Sequence, residues 1–173
     1  MSTVTEPRVE SRLVILPDGV RIVRLETGDT GWLREYHAIL RVAAQDFLRR
    51  ARLSGTGDIV CAELAELLEA GGAVWLVLDA QYRLLGFSAI RLGRAAFDRT
   101  LVAEVAACYL YPKRTPREVF PRLWAEMGRW AQQQGATTAA FQTRRLTNKA
   151  WTRQGARRVG AVYEVDLKGE TDG

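Results

Sequence analysis

Glu104 opens a strand-like run, Glu104 to Pro112, that leads through a basic turn into a helix-like run ending at Gln134-Gly135. A carboxylate at the head of such a strand is a candidate general base, able to take a proton from an attacking nucleophile. Its bland alternative is a strand-end glutamate facing solvent or paired with an arginine. The turn that follows, Lys113-Arg114-Thr115-Pro116-Arg117-Glu118-Val119-Phe120, stands where a strand-to-helix junction can hold a phosphate. At such junctions backbone N–H groups and the helix dipole favour an anion, and glycines let the backbone approach it. This turn contains no glycine. A phosphate held here would rest on the side chains of Lys113, Arg114 and Arg117 instead.

The same residues satisfy a different pattern. Thr115-Pro116-Arg117-Glu118 reads as a capping box with proline at the first helical position, so Thr115 is expected to accept from the Glu118 N–H. That predicts a helix over Thr115 to Gln134 with Val119, Leu123, Met127 and Trp130 on one stripe. Pro121 should kink this helix or move its start. The other reactive side chains are isolated. Cys61 and Cys108 sit in apolar contexts without a cysteine or histidine beside them, and read as buried small hydrophobes. His37, the single histidine, falls inside a helical run. No ligand cluster for a metal is present.

The elements that must position these groups follow from periodicity and turn chemistry. Leu13 to Leu16 and Val20 to Leu25 read as strands joined by Pro17-Asp18-Gly19. Trp32, Tyr36, Ile39, Leu40, Ala43, Phe47 and Leu48 define one face of a helix from about Thr30 to Leu53. Asp58 can cap a second helix carrying Val60, Leu64, Leu67 and Leu68, which Gly71-Gly72 ends. Ala73 to Leu78 and Leu84 to Leu92 predict a hairpin, and Gly93 to Arg99 a loop. Leu101 to Tyr111, apolar on both faces, predicts a central strand. Gly135 should stop the long helix, followed by a strand at Thr137 to Thr143, a short helix near Asn148 to Gln154 and a last strand from Arg158 to Leu167.

This order resembles that of the GNAT superfamily of N-acetyltransferases nearly end to end, and Tyr109-Leu110-Tyr111-Pro112 resembles the usual lead-in to its cofactor turn. The resemblance implies an α/β (α+β) fold, a mixed central sheet of about six to seven strands with helices on both faces. It implies acetyl-CoA, its pyrophosphate held by a Q/R-x-x-G-x-G/A turn, with Leu110, Tyr111, Lys113, Arg114 and Arg117 as the cofactor-binding positions if the cofactor binds. Here the three family positions of that turn fall on Thr115, Glu118 and Phe120, and none matches. The resemblance also implies an amine attacking a thioester, with Glu104 as the candidate base. The thiolate's acid, usually a tyrosine four residues before a Gly-Phe pair, falls on Trp151 ahead of Gly155-Ala156, and tryptophan has no useful proton to give. Tyr109, Tyr111 and Tyr163 are the other phenols.

At 173 residues, 47% hydrophobic and 26% charged, the chain reads as one soluble domain over 13–168, with a flexible arm at 1–12 and a polar tail at 169–173. No apolar run reaches the roughly 18 residues a membrane span needs, and Met1 to Pro7 lacks a signal-peptide core. The expected location is cytoplasmic, or virion-associated if the chain is phage-encoded. The net charge of +5 rests mostly on arginine. Three functions compete. The first is a GNAT-like protein with a degenerate acetyl-CoA site and no cofactor, reused without catalysis for protein contacts, as a homo-oligomer or part of a larger, for example phage-type, assembly. The second is an active acetyl-CoA-dependent N-acetyltransferase acting on an unknown amine. The third is an anion- or nucleic-acid-binding module using Arg144, Arg145, Arg153, Arg157 and Arg158.

Overall fold

The computed structural model describes residues 12–94, 99–141 and 153. The expected short helix near 148–154 and the last strand at 158–167 lie outside the described residues, Arg153 apart. The described chain runs β1 (Leu13–Ile15), β2 (Arg21–Leu25), α1 (Thr30–Glu35), α2 (His37–Ala51), α3 (Gly57–Glu69), β3 (Ala73–Leu78), β4 (Leu84–Arg94), β5 (Leu101–Leu110), α4 (Val119–Gln133) and β6 (Thr138–Phe141). The strands form one sheet in chain order, antiparallel from β1 to β5 and parallel between β5 and β6. Helices α1 to α3 cover one face and α4 the other. This is the mixed, two-sided architecture expected from the sequence.

Local chemistry explains most boundaries. Gly19 takes φ +81° in the first turn, and Leu16 N–H closes it on Val20 O at 2.8 Å. Gly71 and Gly135, at φ +83° and +87°, end α3 and α4 as left-handed caps. Val119, Leu123, Met127 and Trp130 all face the sheet. β3 is buried along its whole length on both faces, as is β4 from Leu84 to Ile90. The strand expected to be most central, β5, is interior, but its residues are mostly half-buried.

Two expectations near the helices need correction. The helix read from Thr30 to Leu53 is two helices, with a bend at Tyr36, whose buried ring stacks on Trp32 at 6.0 Å. The bend resets the helical phase. Leu33 and Ala44 enter the core, and Ile39 is left 49% exposed. Asp58 does not cap α3. Thr56, in extended conformation, caps it by accepting from Ile59 N–H at 3.4 Å. Asp58 lies in the first turn, where the dipole favours a carboxylate, and pairs with Arg41 at 3.6 Å.

Two bulges decide which way β5 points its side chains. Val77 pairs with Gly86 and Leu78 with Leu84, so Leu85 of β4 has no partner in β3. Ala89 pairs with Ala107 and Ile90 with Val105, so Ala106 of β5 has none in β4. Because strand side chains alternate, one extra residue swaps faces. Leu101, Ala103 and Val105 pack toward α4, whereas Ala107, Tyr109 and Tyr111 pack toward α1 to α3.

Glycine is required where β4 meets the end of β5. A Cβ on Gly86 would lie 2.2 Å from Tyr109 O and 2.7 Å from Leu110 Cδ2. Gly86→Ala should therefore cost about 1–3 kcal/mol or more through forced backbone movement, read by urea unfolding. An unaltered midpoint would refute this packing.

Burial pushes the Cys108 thiol up to about 11, against an opposing contact from Ser88. From an unfolded value of 9.0, its stabilisation is complete below pH 9 and is lost as pH rises toward 11, because there only the unfolded chain has shed the proton. Cys61, also raised by burial, acts in the same direction. Cys108→Ala should flatten the alkaline fall in melting temperature; an identical pH profile would contradict it.

Candidate functional site

The end of β5 and its turn carry Leu110, Tyr111, Lys113, Arg114, Thr115 and Arg117, while Glu104 lies seven residues before Tyr111 in the strand. Tyr111 N–H donates to Leu85 O at 2.9 Å, so the bulged carbonyl of β4 anchors the last residue before the turn. Thr115 Oγ1 donates to the same carbonyl at 3.1 Å. The N–H groups of Arg114 and Thr115 both return to Tyr111 O, at 3.1 and 3.0 Å. The segment is thus a closed turn tied to β4.

The capping box does not form. Thr115 lies ahead of the helix, and its hydroxyl is spent on Leu85 O. α4 begins at Val119, its N-cap is Glu118, and no side chain caps it. Pro121 accounts for the later start. Proline in the first turn removes an N–H that has no intrahelical partner anyway, whereas a helix begun at Thr115 would place it in the interior.

Tyr111 is half-buried, with the Arg114 guanidinium 5.3 Å from its ring centroid. Leu110 packs on the α4 side. Lys113 and Arg117 are exposed, and neither forms an ion pair among the described residues. Glu104 lies within β5, directly across from Arg91 of β4. Its Oε2 accepts from Arg91 Nε at 2.6 Å. Trp151, Asn148, Ala150, Gly155 and Tyr163 lie outside the described residues, as do Arg144, Arg145, Arg157 and Arg158; Arg153 is exposed.

The structure adds a partner that sequence spacing could not supply. Tyr109 O–H donates to Asp46 Oδ2 of α2 at 3.0 Å, across 63 positions of chain. Asp46 also pairs with Arg49. Burial first, then the bond to and charge of Asp46, push the Tyr109 phenol above the ordinary tyrosine range, while Arg50 opposes. Burial and the Asp46 charge raise Tyr111 as well, with Arg114 opposing. Both phenols hold their protons at neutral pH, and that of Tyr109 points at Asp46. His37 sits 3.9 Å from Asp58 on the outer side of α2. Among the described residues no group of His, Cys, Asp or Glu could hold a metal ion, and no helix is long and apolar enough to cross a membrane.

No family model matches the chain, and no curated protein matches it significantly. Solved structures do. A predicted acetyltransferase of Clostridium acetobutylicum, solved with acetyl-CoA, superposes with a TM-score of 0.67 at 8% identity, over 86% of this chain and 96% of that one. A GNAT family acetyltransferase of Staphylococcus aureus gives 0.60 at 9%, covering 84% and 98%. An acetyltransferase of Trypanosoma brucei gives 0.60 at 12%, covering 86% and 99%. At these identities the likeness establishes the fold, which is that of the GNAT acetyltransferases.

Thr115→Ala should lose one hydrogen bond, about 0.5–1.5 kcal/mol, while Thr115→Ser keeps it. Equal unfolding midpoints for the two variants would show that the bond to Leu85 O contributes nothing.

Proposed function

We propose that this chain is a GNAT-like fold whose acetyl-CoA site is degenerate and that it serves as a non-catalytic protein-interaction component. The turn after β5 carries the reading. A glycine loop binds pyrophosphate through several free N–H groups in close approach. Here Pro112, Pro116 and Pro121 have no N–H to give. Those of Arg114 and Thr115 are used on Tyr111 O, and that of Val119 on Pro116 O at 3.2 Å. The Glu118 carboxylate stands at the head of α4, where the cofactor would need positive charge. On this reading the turn is a poor cradle for acetyl-CoA, although the N–H groups of Lys113, Arg117 and Glu118 have no backbone acceptor among the described residues. A soluble assembly, of the phage type suggested by the sequence resemblance, is the setting we propose.

One observation favours the enzyme instead. Lys113 and Arg117 are exposed at the turn without an ion pair among the described residues, and guanidinium and ammonium groups can hold phosphates by side chain alone. On that reading Glu104 is the base to test. Calorimetric titration with acetyl-CoA separates the two. We expect no saturable heat at micromolar cofactor, and a gain in binding when Glu118 and Phe120 are both replaced by Gly. Low-micromolar binding by the unmodified protein, abolished by Arg117→Ala, would establish the second reading.

A further inference from the structure

The outer side of α3 is acidic, on a described surface where exposed arginines are otherwise widespread, those of α2 included. α3 contains no lysine or arginine, and its outward side carries only acids and small or apolar residues. Ile59, Ala62, Glu63, Glu66 and Glu69 fall at i, i+3, i+4, i+7 and i+10, one face of a helix, and all are exposed. Asp58 is neutralised by Arg41, but Glu63, Glu66 and Glu69 have no ion pair among the described residues. Ile59, 51% exposed, lies at the N-terminal end of this acidic face.

One concentration of opposite charge, besides the exposed arginines of α2, is at the turn after β5. Pro112 to Arg117 presents Lys113, Arg114 and Arg117, with the exposed Glu118 carboxylate directly after them. Pro112 is exposed, Pro116 and Tyr111 are half-buried, and Arg114 stands over the Tyr111 ring. The two patches cannot meet within one molecule. α2 lies between them, packed on α3 at one side and bonded through Asp46 to Tyr109 at the other.

We infer that the occupant of each patch is a second copy of this chain: the acidic face of α3 docks on the basic turn of its neighbour. Glu63, Glu66 and Glu69 then meet Lys113, Arg114 and Arg117, and Ile59 and Ala62 lie against Pro112, Pro116 and the edge of Tyr111. The contact joins two different surfaces set apart by α2; unless the two contacts form reciprocally about a twofold axis, it is heterologous and builds rings or filaments. Complementary charge supplies orientation and encounter rate, with a small apolar contact excluding water. The inference rests on the reading of the chain as an interaction module and names its partner.

The test is association of the full chain followed by sedimentation velocity across salt concentrations. Wild type should associate with rising protein concentration at about 50 mM salt and dissociate at several hundred millimolar, where screening shortens the Debye length to a few ångström. Glu63→Lys with Glu66→Lys, and separately Lys113→Glu with Arg117→Glu, should each weaken association about tenfold or more. All four positions are exposed, and circular dichroism confirms that each variant folds. Mixed in equal amounts, the two variants should associate again, because each now complements the other. A wild type that stays monomeric at low salt, association indifferent to the four substitutions, or a mixture no better than its components would each overturn the inference. So would a labelled oligonucleotide that binds the wild-type turn while the protein stays monomeric. Acetyl-CoA titration of the same preparation keeps the outcomes apart. Cofactor binding with intact association removes the non-catalytic reading alone, and a monomer indifferent to acetyl-CoA removes only the head-to-tail contact.

Discussion

Two single-residue bulges set the geometry on which the rest of this structure depends. Without the one at Ala106, Tyr109 and Tyr111 would continue the face of Ala103 and Val105 and press into the core beneath α4. With it they turn toward α2, where Tyr109 finds Asp46 and Tyr111 comes under Arg114. The bulge at Leu85 does complementary work on the neighbouring strand. It leaves a carbonyl that receives both the N–H of Tyr111 and the hydroxyl of Thr115. An extra residue is a small change in chain length, yet period-two alternation turns it into a change of face.

On the other side of the sheet a half-buried polar cluster helps to set the position of α4. Glu26, just after β2, pairs with Arg12 at 3.1 Å and accepts from Trp130 Nε1 at 2.9 Å. Trp130 in turn packs edge-on against Trp75 of β3, at 5.6 Å. Arg24 Nε lies 3.1 Å from Glu26 Oε1 but at an angle that makes no hydrogen bond, and that buried nitrogen has no other partner among the described residues. An apolar stripe alone would allow α4 to slide along the sheet. One directional bond from an indole to a carboxylate does not. α4 is thereby held with its start close to the Tyr111–Thr115 turn, so the width of that junction is a property of the whole sandwich.

The fold is one that many acetyltransferases share, and the chemistry of a fold lives in the few groups grafted on it. Three polar groups of β5 and its turn have partners within the chain. Glu104 is bound by Arg91, Tyr109 by Asp46, Thr115 by Leu85 O. Each contact is an ordinary structural use of a polar side chain; the bond to Leu85 O closes the turn, whereas the Glu104–Arg91 pair lies within the β4–β5 ladder.

Much of the architecture was legible in the residues. Gly19, Gly71 and Gly135 marked turns and stops by their need for positive φ, and the stripe Val119, Leu123, Met127 and Trp130 marked the buried side of α4, because both signals are local. The absence of glycine from the turn, and the three prolines around it, were equally plain. What only the tertiary structure decided is where local preferences compete with distant partners. Thr115 could cap a helix or bind a carbonyl, and Leu85 O, placed there by a bulge thirty residues earlier, won. Thr30 to Leu53 carried one continuous apolar stripe, but the burial of Tyr36 broke it into two helices. The Asp46–Tyr109 bond spans 63 positions with no motif to announce it. Sequence alone determined most strands, the buried side of α4 and the turn's lack of glycine; packing decided helix boundaries, which face each strand residue took and which polar groups met, because those depend on distances that no local pattern encodes.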